Sequence, residues 1–548
     1  PTAGTSNVRF GVNAGNSIAS GGNYNVFIGD EAGTALTTGD ENVAIGYNAL
    51  AAEDGNGKNV AVGKGALNVL NAGADGFNVA VGHSAGGGLT TGVNNTLIGG
   101  LAGDAITVGY ENVALGYQAL TANVDGRHAV AIGAEALKNQ DPSTASSTYN
   151  TAVGYVAGRD TTTGIRNTLV GALAAYDGAN GNDNTIVGYA AGQNNTGTQN
   201  TLVGSLAGDA LTTGSQNVAL GYQSLSTDDL GSHNVAIGAN ALSDMNFATA
   251  TDSYNTAVGD QAGLRVTTGT NNTIVGGLAG DAITTAIGSV AMGQGALSAL
   301  QTGNSNVAIG YGAGSGMNGV ASNTCVGSSA LDGVCGNSNV AIGVSCMGST
   351  NSTSASNNTC MGDAAGFSLT SGANNLLLGK DSGRTGSPGG NLTTHSNNVV
   401  LGDENISAFY AQVALTVSSD ERDKTDFVDL DLGLDFVKAL EPVTYYWDKR
   451  SKYGDKDADD YDLSAQTPDG THKEDWMDIG FKAQAVIALE EAAGYKISDK
   501  TNLVSNITED GKQYGLQYEN FVPILVKAIQ EQQTLIEALT ARIAALES

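Results

Sequence analysis

The chain has 548 residues, 78 of them glycine and only 6 proline, and the glycines lack the strict every-third spacing that a collagen triple helix requires. Its 54 acidic and 24 basic residues leave a net charge of −30, a surface that repels nucleic acid and anionic membrane rather than binding them. No apolar run approaches the roughly 18 residues of a membrane-spanning helix, so membrane insertion is not expected either.

The first element met is a five-residue pattern, seen clearly in Asn42-Val43-Ala44-Ile45-Gly46, that returns through three quarters of the sequence. Its first positions are residues 7, 25, 42, 59, 78, 95, 112, 129, 150, 167, 184, 200, 217, 234, 255, 272, 289, 306, 323, 339, 358, 375 and 398, and the commonest step is 17 residues. A fixed short period of this kind is the signature of a solenoid in which each coil stacks on the next. The side-chain period of two in an extended chain sends Val43 and Ile45 to one face and Ala44 to the other. The Val and Ile face is expected to be the core, each row packing on the next coil's row at about 4.8 Å, which makes Ile237 a core residue of a middle coil.

The second half of each unit carries Ala-Gly or Ala-Leu, as in Glu31-Ala32-Gly33 and Asn48-Ala49-Leu50. It commonly closes with Thr-Thr-Gly, as in Thr37-Thr38-Gly39 and Thr212-Thr213-Gly214, where Gly is expected to supply a positive φ. The recurrent Asn reads as a structural ladder of stacked amides rather than a ligand contact. A larger duplication lies above the small one: Asn95-Thr96-Leu97-Ile98-Gly99 followed by Leu101-Ala102-Gly103-Asp104-Ala105 returns 105 residues later as Asn200-Thr201-Leu202-Val203-Gly204 and Leu206-Ala207-Gly208-Asp209-Ala210.

Acidic pairs such as Asp30-Glu31 and Asp40-Glu41 read as solvated turn charge, because the calcium-binding nonapeptide of β-roll repeats is absent. Of the five histidines, His128 and His233 are copies of one another in the duplicated block, and none joins a ligand cluster. Cys325, Cys335, Cys346 and Cys360 crowd into neighbouring coils. Cys325 and Cys360 fall two rungs apart, near 10 Å and beyond the roughly 7 Å reach of a disulfide. With no CxxC pair they read as small packed residues, and neither metal nor cofactor is expected. Longer steps leave the insertions Gly348-Ser349-Thr350-Asn351-Ser352 and Ser387-Pro388-Gly389-Gly390, which are expected to be surface loops.

The rod pattern resembles the head of trimeric autotransporter adhesins, a left-handed parallel β-roll with a similar small-apolar motif ending in Ile-Gly, although the coils here are longer. Similar motifs occur in phage tail fibres. The resemblance covers roughly residues 7–402 and implies a repetitive β-rod.

Near residue 402 the composition changes: 10 of the basic residues lie in 1–400 and 14 in 401–548, with both tryptophans, Trp447 and Trp476, in the later part. Domains are therefore expected at 1–402 (rod), 403–418 (a β-rich connector) and 419–548. The connector runs through Phe409-Tyr410-Ala411-Gln412-Val413-Ala414-Leu415-Thr416-Val417 to Ser418-Ser419-Asp420-Glu421-Arg422-Asp423-Lys424-Thr425. By itself this charged stretch reads as a turn opening a helix. Downstream come Leu440-Glu441-Pro442-Val443-Thr444-Tyr445-Tyr446-Trp447, Ile479-Gly480-Phe481-Lys482-Ala483-Gln484-Ala485-Val486 and Leu516-Gln517-Tyr518-Glu519-Asn520-Phe521-Val522-Pro523.

In that order these segments resemble the C-terminal intramolecular chaperone domain of phage endosialidases, tailspikes and tail fibres, which trimerises the chain and then cuts itself off. The family's Ser-Asp-x-Arg-x-Lys motif supplies a Ser and Lys dyad, with the cut just before the Ser. The resemblance implies Ser419 as nucleophile, Lys424 as base, Asp420 and Arg422 in support, and cleavage between Ser418 and Ser419. Asp423 departs from the apolar residue more usual there, and a carboxylate beside the lysine works against its acting as a base. A Lys can take a hydroxyl proton only from a desolvated setting within hydrogen-bond reach. Folding and trimerisation are expected to create that setting, making the cut a folding checkpoint.

The last segment, 522–547, alternates apolar residues three and four apart: Val522, Leu525, Ile529, Gln532, Ile536, Leu539, Ile543 and Leu546. This is a coiled-coil heptad broken once by Gln532. The heptad alone leans to a dimer, whereas the resemblance implies a trimer.

The whole reads as a mainly β, homotrimeric β-solenoid rod followed by a small α+β domain ending in a coiled-coil helix. The expected role is a phage tail fibre or appendage, assembled in the host cytoplasm and carried on the virion. Its expected partners are other tail proteins at the N-terminal end and a glycan or protein receptor on the host surface. A bacterial surface adhesin would need a secretion signal and a membrane anchor where this chain ends in a heptad. A polysaccharide-degrading tailspike would need acidic residues recurring with aromatics in a cleft, which the rod lacks.

Overall fold

The computed structural model describes residues 4–142, 146–348, 354–413, 415–456, 458 and 460–547. It divides into two compact units, residues 1–323 and 324–548. Of the sequence-expected loop at 348–352, residues 349–352 lie outside the described residues.

The first unit is a parallel β-solenoid. Each coil contributes a three-residue strand, from Val8–Phe10 to Val307–Ile309, paired in register with the next, as in Val43↔Val60, Ala44↔Ala61 and Ile45↔Val62. The duplication recurs in three dimensions. The two 21-residue coils each add a second parallel bridge, Arg127↔Ser147 in one and Ser232↔Asp252 in the other. His128 stacks on Tyr149 at 5.1 Å, and His233 on Tyr254 at 4.8 Å. The second unit opens with five more coil strands, from Thr324–Val326 to Val399–Leu401.

The strand faces are the reverse of the sequence expectation. Ala44, Ala61 and Ala80 are fully buried, while Val43 and Ile45 are only partly covered, and Ile237 likewise faces outward beside the buried Ala236. The reason is width. In most coils the middle strand side chain and one from the following turn meet in the interior and are complementary in size; where both are small, as at Ala80 and Gly86, Leu67 and Leu97 of the neighbouring coils fill the space. Where the strand offers Ala44, Ala114 or Ala219, the turn six residues later offers the buried Leu50, Leu120 or Leu225. Where the strand offers Phe27, Leu97, Ile186 or Leu202, that turn position is Gly33, Gly103, Gly192 or Gly208. A Cβ on Gly208 would stand 2.9 Å from Leu202 Cδ2, and one on Gly33 only 2.4 Å from the Phe27 ring. Close packing leaves no room for a side chain at these glycines.

The Asn ladder is present and buried. Asn59 N donates to Asn42 Oδ1 at 3.0 Å and Asn95 N to Asn78 Oδ1 at 3.0 Å. The amide also ties its own coil shut, since Asn25 Nδ2 donates to Gly39 O at 2.9 Å and Asn95 Nδ2 to Gly109 O at 3.0 Å. Every polar atom so bonded is spared a desolvation cost of about 1–3 kcal/mol. The Thr-Thr-Gly glycine does not supply the positive φ expected of it. Gly39 is required because a Cβ there would lie 2.1 Å from Asn56 O of the next coil. The positive φ belongs instead to the strand-terminal glycines such as Gly46 (φ 133°), stacked so closely that a Cβ would meet the next coil's glycine carbonyl carbon at 2.6 Å.

Asp30 Oδ1 and Asp40 Oδ1 accept from Val12 N at 2.9 Å and Asn23 N at 2.5 Å, so these turn carboxylates bond the backbone of the preceding coil. Cys325, Cys335, Cys346 and Cys360 are buried free thiols. Cys325 and Cys360 are both registered against Ala341, two rungs apart, and burial pushes the Cys335 thiol up to about 12. The insertion at 387–390 is not a simple surface loop. Ser387 is buried, its Oγ accepting from Gly383 N and donating to Gly390 O, both at 3.1 Å.

Residues 403–418 form no strand among those described. Phe409, Tyr410, Val413, Leu415 and Val417 stand in solvent, because an extended segment becomes a strand only when another backbone accepts its hydrogen bonds. Beyond them lie helices α1 (Leu434–Ala439), α2 (Ala483–Ala492) and α3 (Phe521–Glu547). Two antiparallel pairs accompany them: Val443–Tyr445 with Asp478–Gly480, and Ser505–Ile507 with Tyr514–Leu516. Leu432, Phe436, Val486, Val504, Phe521 and Ile524 form their common core.

Two outcomes are expected. Leu202→Ala should cost about 2–5 kcal/mol, as for other buried leucines. Adding Gly208→Leu should restore most of the loss in a thermal melt, because with the buried Leu211 it gives this coil the arrangement of Ala61, Leu67 and Leu70. The second concerns Asp228, which is buried in the core with its pKa raised to about 6, first by burial and further by Asp229. A carboxyl raised in the folded state makes the rod more stable below its unfolded value of 3.8 and less stable as pH rises through 6. The loss is about 3 kcal/mol across that window. Asp228→Asn, which copies Asn123 of the duplicated block, should flatten this part of the pH profile of melting.

Candidate functional site

The segment singled out by sequence is a short local structure built by one carboxylate. Asp420 caps a single 3-10 turn, Glu421–Asp423, its Oδ1 accepting from Arg422 N at 2.9 Å. The same carboxylate grips the Arg422 guanidinium through Nε at 3.0 Å and a terminal nitrogen at 2.6 Å. That pairing holds the Asp420 carboxyl below the usual carboxylate value. The turn ends at Lys424, whose N–H returns to Glu421 O at 3.1 Å.

One tight turn between Ser419 and Lys424 brings their side chains together. Lys424 Nζ donates to Ser419 Oγ at 2.6 Å and lies 3.3 Å from Ser419 O. A nucleophile and a proton acceptor in hydrogen-bond contact are the minimum of an activated serine. Ser418, Ser419 and Lys424 are all exposed, so the chain alone does not provide the dry surroundings that general-base chemistry by lysine needs.

The three downstream segments noted in the sequence converge. Tyr445 and Gly480 sit on paired strands, Phe481 N donates to Tyr518 Oη at 3.2 Å, and Phe481 stacks on Phe521 at 5.3 Å. A Cβ at Gly480 would lie 2.3 Å from Tyr518 Oη, so any larger residue would push that tyrosine off Phe481 N. Two further carboxylates organise the region. Buried Glu490 accepts from the backbone N–H groups of Leu503, Val504 and Ser505 at 2.7, 2.8 and 3.1 Å. Glu531 of α3 accepts from Leu434 N at 2.7 Å, capping α1 where Gly433 has no side chain to do so. Neither stands out in sequence, because both act on backbone groups far along the chain.

Helix α3 presents two faces. Phe521, Ile524 and Ala528 are buried against the core. The heptad residues Val522, Leu525, Ile529, Gln532, Ile536, Leu539, Ile543 and Leu546 are exposed, Ile529 at 64% and Ile543 at 53%.

Residues 419–495 match the family described as the chaperone of endosialidase. No curated protein and no solved structure matches the chain. The chain thus joins a parallel β-solenoid rod to an endosialidase-type intramolecular chaperone domain at its C-terminal side, the architecture of a tail-fibre-like protein.

Proposed function

We propose that this chain is a homotrimeric phage tail fibre or appendage, and that its chaperone domain aligns three copies and then severs itself between Ser418 and Ser419. The observation that carries the cut is the 2.6 Å contact of Lys424 Nζ with Ser419 Oγ. Lys424 takes the hydroxyl proton as Ser419 Oγ attacks the carbonyl carbon of Ser418. The C–N bond breaks, the nitrogen of Ser419 takes up a proton, and Ser418 is left as an ester on Ser419. Water then hydrolyses that ester, giving a Ser418 carboxylate and a fragment that begins with Ser419. The oxygen and proton balance closes without metal, cofactor or external substrate.

Trimerisation is supported by three apolar surfaces that the chain alone leaves uncovered. The outward Val and Ile rows of the rod include Leu115 at 42% and Leu220 at 44% exposure. The connector bares Tyr410 and Leu415. Helix α3, about 40 Å long at 1.5 Å per residue, bares its heptad. Identical copies satisfy all three at once, and packing around the connector would supply the desolvation that Lys424 needs. A long acidic rod of this kind suits reach towards a host-surface glycan or protein, with its other end joined to further tail proteins in the virion.

Ser419→Ala and Lys424→Ala should each leave an uncut chain on a denaturing gel that is still trimeric by light scattering. Chaperoning rests on the fold and the heptad rather than on the hydroxyl. A gene ending before Ser419 should instead give aggregated rod, because nothing then aligns three chains before non-local strand pairing begins. Soluble trimeric rod from the shortened gene, or Ser419→Ala protein still cut at this bond, would remove the assignment.

A further inference from the structure

The second unit carries a contact that spans the Ser418–Ser419 bond without using it. On the rod side are the insertion of the last coil and the start of the connector. Gly386 and Gly390 (φ 96° and 74°) bring backbone so close that a Cβ would stand 2.7 Å from Ser451 Cβ and 2.7 Å from Asp510 Oδ1. Asn391 N donates to Asp510 Oδ2 at 3.0 Å, and His395 Nε2 lies 3.4 Å from Glu509 Oε2.

Glu404 is the centre of the contact. Its side chain is 4% exposed and ion-paired with Lys456, while Lys449 Nζ donates to Glu404 O at 2.8 Å. Its second carboxylate oxygen, Oε2, has no hydrogen-bond partner. It lies against the insertion, 3.1 Å from where a Gly386 Cβ would be. A cavity of about 420 Å³ between the two sides is lined by Leu401, Glu404, Trp447, Lys449 and Gln513.

We infer that the last coil, with Gly386, Gly390, Asn391 and Glu404, is a docking surface for this chain's own chaperone domain. The domain caps the open end of the solenoid and stays attached after the chain is cut. Three facts converge on this occupant. The insertion at 385–392 lengthens the last coil and is buried under Ser451 and Asp510 rather than free in solvent. A half-buried lysine and a buried glutamate face each other from opposite sides of the cut. The hairpin strands Ser505–Ile507 and Tyr514–Leu516 reach the terminal strand Val399–Leu401, their residues Ile507 and Tyr514 lining one cavity with Val399 and Leu401. An uncovered terminal coil offers unpaired strand edge to other molecules, and this domain covers part of that edge. Because the pairs are partly buried, salt weakens them less than it weakens surface pairs.

This inference rests on the proposed cut for its biological meaning, so the test makes the break independently. In the full-length Ser419→Ala protein, a specific-protease site is placed in the exposed 425–429 stretch and cut after folding, and the fragments are followed by gel filtration at 0.15 and 1 M salt. Co-elution at both salt concentrations is expected. Glu404→Gln and Lys456→Met, each checked for unchanged oligomeric state before cutting, should release the C-terminal fragment about tenfold faster or more, as when one partner of a buried charge pair is removed. Prompt separation of the unaltered clasp would overturn the docking surface. Release rates unmoved by both substitutions would overturn Glu404 and Lys456 as its anchor. Because Ser419→Ala cannot self-process, neither result depends on whether the natural chain does.

Discussion

The structure depends on one spatial constraint: each coil is so narrow that its few interior side chains must fit one another and those of the coils above and below. That width forces the alternation of Ala44 with Leu50 and of Leu97 with Gly103, and it makes the buried Asn ladder necessary, because no water can reach the backbone at the turn. Glycine stacks on glycine at positions such as Gly46, where adjacent coils leave no space for a Cβ. A rod made this way is hydrogen-bonded from coil to coil but has no thick hydrophobic centre. Much of its apolar surface, the outward Val and Ile rows, is left for other molecules to cover.

Much of this was legible in the sequence. The 17-residue period announced the coils, the recurrent Asn announced the ladder, and the 105-residue duplication announced that His128 and His233 are equivalent, though not that they stack on Tyr149 and Tyr254. Which strand face turns inward was not read correctly, because Val43-Ala44-Ile45 is apolar on both faces and period alone does not rank them. A deciding signal is nonetheless present: in most coils the middle strand residue and the turn residue six positions on change size in opposite senses, as in Ala219 with Leu225 against Leu202 with Gly208. The role of Gly39 is ambiguous in sequence for a related reason. A need for close approach to the next coil leaves the same mark in sequence as a need for positive φ.

For the site, the spacing of Ser419 and Lys424 was legible and their contact follows from one capped turn. The roles of Glu490 and Glu531 were not, since each carboxylate answers backbone groups that only the folded chain brings near. The contact of Asn391 with Asp510 crosses 119 residues, and the insertion that makes it looked like an ordinary loop. The connector looked like a strand because its composition is that of one. It lacks only a neighbour, and the chain by itself contains none for it among the described residues.

Rod and chaperone domain therefore meet one physical problem from two sides. Coils that each need a neighbour must be started in register, and exposed apolar rows must be matched to their own kind before they meet anything else. A C-terminal domain with a bare heptad can bring copies together, and a serine held against a lysine can make the result irreversible. Intact mass spectrometry of the purified natural chain under denaturing conditions tests this most directly. Two masses, a rod ending at Ser418 and a fragment beginning at Ser419, are expected; a single uncut chain from a well-folded trimer would contradict self-processing.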